Sequence, residues 1–180
     1  MESPNRLVIF GAWYFARVVA ETAELRGWTI EGFVDPEPPE NTPALTKISD
    51  DGLVIVAIGD NEMRAYVHNK LIQSGRTFAT IAHPNASISP SACIEPGCYL
   101  AEFACVRTNA TVGAGTILNS GCVVSHDCQI GEFVTFGPNA AAAGKAVIGA
   151  RSTIGVGASV RPRAEVGCDC QVGAGAAVVS

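Results

Sequence analysis

From Ile88 to Val178 every sixth residue is apolar. In fifteen of these sixteen positions it is large, running Ile88, Ile94, Leu100, Val106 through to Val172 and Val178, with Ala142 the exception. Two places before each stands a small residue, from Ala86, Ala92 and Cys98 through to Cys170 and Ala176, broken only at Val134. One place after the apolar residue glycine recurs, at Gly113, Gly131, Gly137, Gly149, Gly155, Gly167 and Gly173. The register does not slip over more than ninety residues.

A period of six fits neither the 3.6 residues of an α-helical turn nor a set of hairpins. It predicts a parallel β-helix in which each hexapeptide is a short strand and a turn. Residues two apart point to the same face of a strand, so the small and large positions both point inward and fill a narrow interior. Three hexads close one coil, which stacks residues eighteen apart at about 4.8 Å. Some five coils follow. Glycine after the apolar position suits turns that need positive φ.

Seven cysteines belong largely to the same pattern: Cys98, Cys122, Cys128 and Cys170 fall in the small inward slot, as packing residues. Cys168 and Cys170 are too close together for an easy disulfide. An odd cysteine count and a start, Met1–Arg6, with no apolar leader give the expectation of reduced thiols in the cytoplasm. The net charge of −5 and pI near 5.1 speak against a basic nucleic-acid-binding surface. Mean hydropathy is +0.26, yet runs such as Val54–Ile58 are far short of a membrane span.

Residues 1–83 follow other rules. Leu7–Phe10 reads as a short buried strand ending at Gly11. A helix over 14–26 carries apolar Phe15, Val18, Val19, Thr22 and Leu25. Thr29–Val34 reads as a second strand ending at Asp35, before a loop marked by Pro36, Pro38, Pro39 and Pro43. Leu53–Ile58 is a third strand, and Asp60 or Asn61 caps a helix running to about Gln73, with Gly75 after it. Thr77–Ile81 is expected as a fourth strand. Strands alternating with helices imply a parallel, doubly wound sheet. The expected organisation is an α/β Rossmann-like unit over 1–83 and a β-helix over 84–180.

Within the repeat, Val124-Ser125-His126-Asp127-Cys128 breaks the style. His126 is the only histidine of the repeat half and lies two places after an inward valine, at a turn. Eighteen residues on is Gly144, whose backbone N–H lies in the next coil beside the imidazole, the arrangement of a general base next to an oxyanion donor. Asp127 either orients the imidazole or forms a cross-coil ion pair with Lys145. Lys145 and Arg163 also stack; with Arg151 and Arg161 they are either a phosphate-binding charge or scattered surface cations.

The run Cys122-Val123-Val124-Ser125-His126-Asp127-Cys128 inside unbroken hexads resembles the hexapeptide-repeat acyltransferases. The opening Val8-Ile9-Phe10-Gly11-Ala12, the Gly59-Asp60-Asn61-Glu62-Met63-Arg64 segment and the His83-Pro84 junction narrow the resemblance. Together they resemble the sialic-acid O-acetyltransferase family, which includes nucleotide-sugar N-acetyltransferases of the bacillosamine and perosamine pathways. The resemblance implies a left-handed β-helix, a homotrimer, acetyl-CoA as cosubstrate and no metal. It implies His126 as general base, Asp127 as its acidic neighbour and Gly144 as backbone donor to the thioester. It places Gly11, Ala12, Asp35 and Gly59 on a nucleotide-linked amino sugar, and Thr135, Lys145, Val156, Arg163 and Ala174 on the cofactor. Thr135 stands where some relatives have a second histidine. Trp13 and Tyr14 replace the small residues usual in the first turn, where they either stack on the substrate or close the site. The chain ends at Ser180 inside a hexad, where the resemblance implies a further coil. N-acetyl transfer is the expected reaction, with O-acetyl transfer and a non-catalytic scaffold as alternatives.

Overall fold

The computed structural model describes residues 6–38, 40 and 52–179. Pro39 and Pro43 of the expected loop, Met1–Asn5 and Ser180 lie outside the described residues. The chain opens with β1 (Arg6–Phe10), α1 (Tyr14–Leu25), β2 (Thr29–Val34), β3 (Leu53–Val56) and α2 (Asn61–Gln73). The three strands form a parallel sheet in the order β2-β1-β3. Strand alternation splits it into two faces. Leu7, Ile9 and Ile55 pack with α1; Val8, Phe10, Val54 and Val56 pack with Leu71 and Val67 of α2. The doubly wound expectation holds.

The buried face of α1 is shifted from the one expected. Val19 and Thr22 are buried and Phe15 packs on the core, as expected, but Ala16, Ala20 and Ala23 complete the face while Val18 and Leu25 are exposed. An alanine face brings the helix backbone close to its neighbours, and packing overrides the larger side chains. α2 begins as expected: the Asp60 carboxylate accepts the Met63 N–H at 2.7 Å.

Thr77–Ile81 is not a fourth strand of this sheet. Only Phe78 bridges to Val54, and Ile81–Ala82, β4, pairs instead with Tyr99–Leu100. The solenoid therefore starts at residue 81, ahead of the boundary at 84. Ala82 occupies the inward position six before Ile88, where a small side chain hides the repeat.

The rest is a left-handed parallel β-helix of two-residue strands on three faces. The first face runs from β4 through Tyr99–Leu100, Ile117–Leu118, Thr135–Phe136 and Thr153–Ile154 to Gln171–Val172. The second runs from Ser87–Ile88 to Ala177–Val178 and the third from Cys93–Ile94 to Glu165–Val166. Partners are eighteen apart throughout, as in Ile117 with Thr135 and Val124 with Ala142. The interior is the predicted inward set, from Cys98 and Leu100 to Ala164 and Val166. The two exceptions fall in one neighbourhood. Val134 and Phe136 are oversized, and Ala142 in the next hexad of that coil is undersized, so the summed volume is kept. Cys98, Cys122 and Cys128 are buried free thiols, and burial pushes the first two up to about 12.

The recurrent glycines are there for a different reason from the one expected. Gly113, Gly131, Gly137, Gly149 and Gly155 do not have positive φ; a Cβ on any of them would overlap the backbone of the next coil. The left-handed conformation belongs to the second turn residue, and there it is often not glycine: Phe103, Asn109, Asp127, Lys145 and Arg163 all adopt it. Its N–H reaches the carbonyl of the coil below, as from Asp127 to Thr108 at 2.9 Å and from Lys145 to His126 at 3.0 Å. That cross-coil bond offsets the backbone cost.

The α/β unit lies against the first face and shares a core with it. Tyr99, Ala101 and Ile117 join Leu7, Ile9 and the α1 alanines in one cluster, and the Tyr99 hydroxyl meets Thr22 Oγ1 at 3.0 Å. Arg64, fully buried, is the polar tie. Its Nε donates to Gly115 O at 2.8 Å and its Nη1 to Ile58 O and Gly59 O at 2.9 and 3.0 Å. Its Nη2 donates to Asn61 Oδ1, Phe133 O and Thr135 Oγ1 at 2.7, 2.9 and 3.1 Å. Every acceptor is neutral. Desolvation lowers the guanidinium to about 10, so it stays charged at neutral pH; the neutral oxygens bonded to it and the more distant Asp60 carboxylate stabilise the charge.

Candidate active site

His126 and Asp127 form the turn between Val123–Val124 of the second face and Gln129–Ile130 of the third. This edge of the prism is opposite the first face, which carries the α/β unit. Asp127 sits at φ 57°, which turns its carboxylate back beside the imidazole: Oδ2 lies 2.8 Å from His126 Nδ1. The hydrogen bond from His126 and a second from Asn109 hold the carboxyl below its ordinary range. Of the two partners open for Asp127, the structure shows the first. It pairs with His126 and not with Lys145, which acts on it only through space.

With Nδ1 engaged, the imidazole presents its far side to the coil above. There Gly144 leaves room: a Cβ on it would overlap Nε2 and stand 2.6 Å from Cε1. Gly144 does not have positive φ, so what is required here is space. Its N–H reaches no protein acceptor among the described residues. First turn residues elsewhere on the solenoid, such as Thr108 and Ala150, share that freedom, whereas Pro90, Pro96, Pro138 and Pro162 have no N–H to offer; what distinguishes this position is a free donor with a histidine directly beneath it.

Asn109 escaped the sequence reading. It lies eighteen residues before Asp127, and its Nδ2 donates to Asp127 Oδ1 at 3.3 Å. The stacking rule that found Gly144 above the histidine finds Asn109 when applied downward.

The expected cofactor residues fall in three places. Lys145 and Arg163 continue the His126 edge, one and two coils above it, with Arg161 beside them; the Arg161 guanidinium donates to Val179 O. Arg151 is not part of that charge. It sits on another edge in a two-toothed pair with Asp169, both bonds 2.7 Å. Val156 and Ala174 stack on the edge between the first and second faces, both exposed. Thr135 lies on the first face, where its hydroxyl donates to Asn61 Oδ1 at 2.6 Å and accepts from Arg64.

The expected substrate residues gather at the carboxyl ends of the parallel strands. Asp35 Oδ2 accepts the Ala12 N–H at 3.0 Å and Oδ1 that of Glu37 at 3.0 Å. Gly11, at φ +113°, lies against Ala57 O, where a Cβ would stand at 2.6 Å. Trp13 caps α1 and Tyr14 opens it, and the two are 54% and 82% exposed. Gly59 borders a polar cleft of about 380 Å³ shared with Glu62, Arg151 and Asp169.

Comparison with known proteins agrees with this architecture. The PglD N-terminal domain family matches residues 6–71. The GDP-perosamine N-acetyltransferase of Escherichia coli O157:H7 is 36% identical over 93 residues, which cover 52% of this chain and 42% of that protein. The chain thus spans less than half the length of this curated relative. PerB of Caulobacter crescentus, solved with CoA and GDP-perosamine, superposes with a TM-score of 0.89 at 33% identity, covering 96% of this chain and 88% of that one. The acetyltransferase domain of PglB from Neisseria gonorrhoeae superposes at 0.91 with 30% identity, covering 97% and 91%. The chain belongs to the family of left-handed β-helix acetyltransferases that carry a PglD-type N-terminal domain.

Proposed function

We propose that this protein transfers the acetyl group of acetyl-CoA to the amino group of a nucleotide-linked amino sugar. The observation that carries the reading is the His126–Asp127–Gly144 constellation: an imidazole held by a carboxylate at Nδ1, with Nε2 free beneath an unbonded backbone N–H. The solved relative that holds CoA and GDP-perosamine supports both substrate classes.

In this reaction the amine lone pair attacks the thioester carbonyl carbon, and His126 Nε2 takes the proton that the amine loses. Asp127 keeps the other proton on Nδ1 and stabilises the imidazolium that forms. The Gly144 N–H donates to the developing oxyanion. The C–S bond then breaks, the proton passes from His126 to the thiolate, and the products are an amide and free CoA. No covalent enzyme intermediate forms. Lys145 and Arg163, on the same edge, suit cofactor phosphates.

Within one chain, Gly11, Ala12, Asp35 and Gly59 belong to a unit on the first face, whereas His126 lies on the opposite edge. A site using both therefore draws on two subunits. The second face, which borders the His126 edge, is suited to such contact. Its outward residues, Ser87, Cys105, Val123, Ala141, Ser159 and Ala177, carry no charge. A homotrimer working in the cytoplasm fits this arrangement.

The test is release of CoA thiol from acetyl-CoA in the presence of GDP-, UDP- and dTDP-linked 4-amino sugars and free sialic acid, for wild type and His126→Ala. Turnover with an amino sugar and a loss of roughly 10²-fold or more in the variant are expected. Equal turnover by both proteins overturns the mechanism, and turnover with sialic acid alone moves the reaction to O-acetylation.

A further inference from the structure

We propose that Asn109 is a positioning residue for the His126–Asp127 pair, acting through a side-chain ladder that climbs the edge of the solenoid. This rests on the reading of His126 as the base. The ladder occupies three successive coils at the second turn position, where Ser91, Asn109 and Asp127 stand eighteen residues apart. Ser91 Oγ accepts the Asn109 N–H at 3.2 Å, Asn109 Nδ2 donates to Asp127 Oδ1 at 3.3 Å, and Asp127 Oδ2 meets His126 Nδ1 at 2.8 Å.

The need for such a device follows from exposure. The Asp127 side chain is 40% accessible and that of His126 58%. A carboxylate held by one hydrogen bond in water rotates freely about its last torsion. Each turn exchanges the oxygen facing the imidazole or swings both away. Asn109 occupies the second oxygen and leaves Oδ2 for the histidine. Both backbones are already committed, Asn109 at φ 56° and Asp127 at φ 57°, so the two side chains leave the turn in parallel, one coil apart.

The chemistry of the residue fits the task. The charged groups near Asp127 are His126 at its side and Lys145 one coil above. An amide below donates without adding charge, so the carboxylate keeps its full negative potential for the imidazolium. A lysine at this position would neutralise it, and an aspartate would repel it. Asparagine is also among the few residues that tolerate left-handed φ readily. The hydrogen bond from Asn109 is one of the two main causes that hold the Asp127 carboxyl below its ordinary range.

The experiment uses Asn109→Gly, which keeps the backbone conformation and removes only the amide, alongside Asp127→Ala, the double variant and His126→Ala. The expected result is a fall in kcat of about 10-fold with KM for acetyl-CoA and for the sugar within about twofold. In the Asp127→Ala background Asn109→Gly has no further effect. Ring-nitrogen NMR is the readout that a merely structural role would not move: the Nδ1–H tautomer of His126 loses population in Asn109→Gly, and the Asp127 carboxyl titrates at higher pH. Asn109→Asp, which retains shape and reverses the donor, is expected to fall below Asn109→Gly. If Asn109→Gly matches wild type in kcat and tautomer while His126→Ala is inactive, the ladder has no positioning role. An additive loss in the double variant overturns it as well. If instead His126→Ala keeps full turnover, the reading beneath it fails.

Discussion

In the solenoid a buried side chain meets neighbours six or eighteen positions away, and each coil repeats the rule. In the α/β unit, Leu7 and Ile9 share a core with Tyr99 and Ile117, about a hundred residues along the chain. Polar groups are handled differently too. The solenoid keeps its chemistry on its edges, at turns whose backbone is fixed by cross-coil hydrogen bonds. The α/β unit buries a charge, Arg64, and satisfies it across the junction with Gly115 O, Phe133 O and Thr135. A repeat thus gives local, nearly additive stability and a rigid edge on which a site can be built. The junction has no repeat, and its cohesion rests on a few long-range contacts.

That contrast predicts unequal responses to substitution. Arg64→Leu is expected to have the largest effect, about 3–5 kcal/mol, because it leaves the carbonyls of Gly115 and Phe133 buried and unpaired. In chemical denaturation the α/β unit should lose protection before the solenoid does. A single transition at the wild-type midpoint would show that the junction is not held by Arg64.

On the edge, Gly144→Ala should cost roughly 10²-fold in kcat, since the new Cβ takes the space over Nε2. Stability should change by less than about 1 kcal/mol, because φ at Gly144 is open to alanine and His126 is free to swing into solvent. A loss of stability matching the loss of rate would place Gly144 in the scaffold.

Acid separates the regions further. His68 is buried between Phe78 and Phe133, with neither ring nitrogen bonded. Desolvation, and then the charge on Arg64, lowers it from the ordinary 6.5 to about 4. The unfolded chain takes this proton first. The contribution of His68 is therefore complete above about pH 6.5 and declines toward pH 4, by as much as about 3 kcal/mol. His68→Phe should flatten that slope in a series of thermal melts; an unchanged slope would remove His68 as its cause.

The smallest effect is expected inside the solenoid. Ala142→Ile should destabilise by about 1.5 kcal/mol through overpacking, and Phe136→Val in the same chain should restore most of it. Additive losses in the double variant would mean that each position, and not the volume of the coil, is what the core conserves.

How legible each region was follows from the same difference. The inward positions of the solenoid, its eighteen-residue stacking, the buried cysteines and the pairing of His126 with Gly144 were all readable, because one rule applied sixteen times averages out local noise. The rule failed where its outcome depended on atoms of the neighbouring coil. Glycine one place after the apolar residue looked like a turn residue, yet it is there because the next backbone passes too close for a Cβ. Asp127 was readable as a neighbour of either His126 or Lys145, and a φ of 57° decided for the histidine.

The sequence by itself determined the coil geometry, the contents of its interior and the edge on which His126 stands. These depend on short-range periodicity and on side-chain volume, both of which are written in the residues. Only the tertiary structure decided which face of α1 is buried, that Thr77–Ile81 leaves the sheet for the solenoid, and that Arg64 and Thr135 bond to each other across the junction. Those outcomes turn on which surfaces meet, and docking energy is a sum over contacts far apart in sequence.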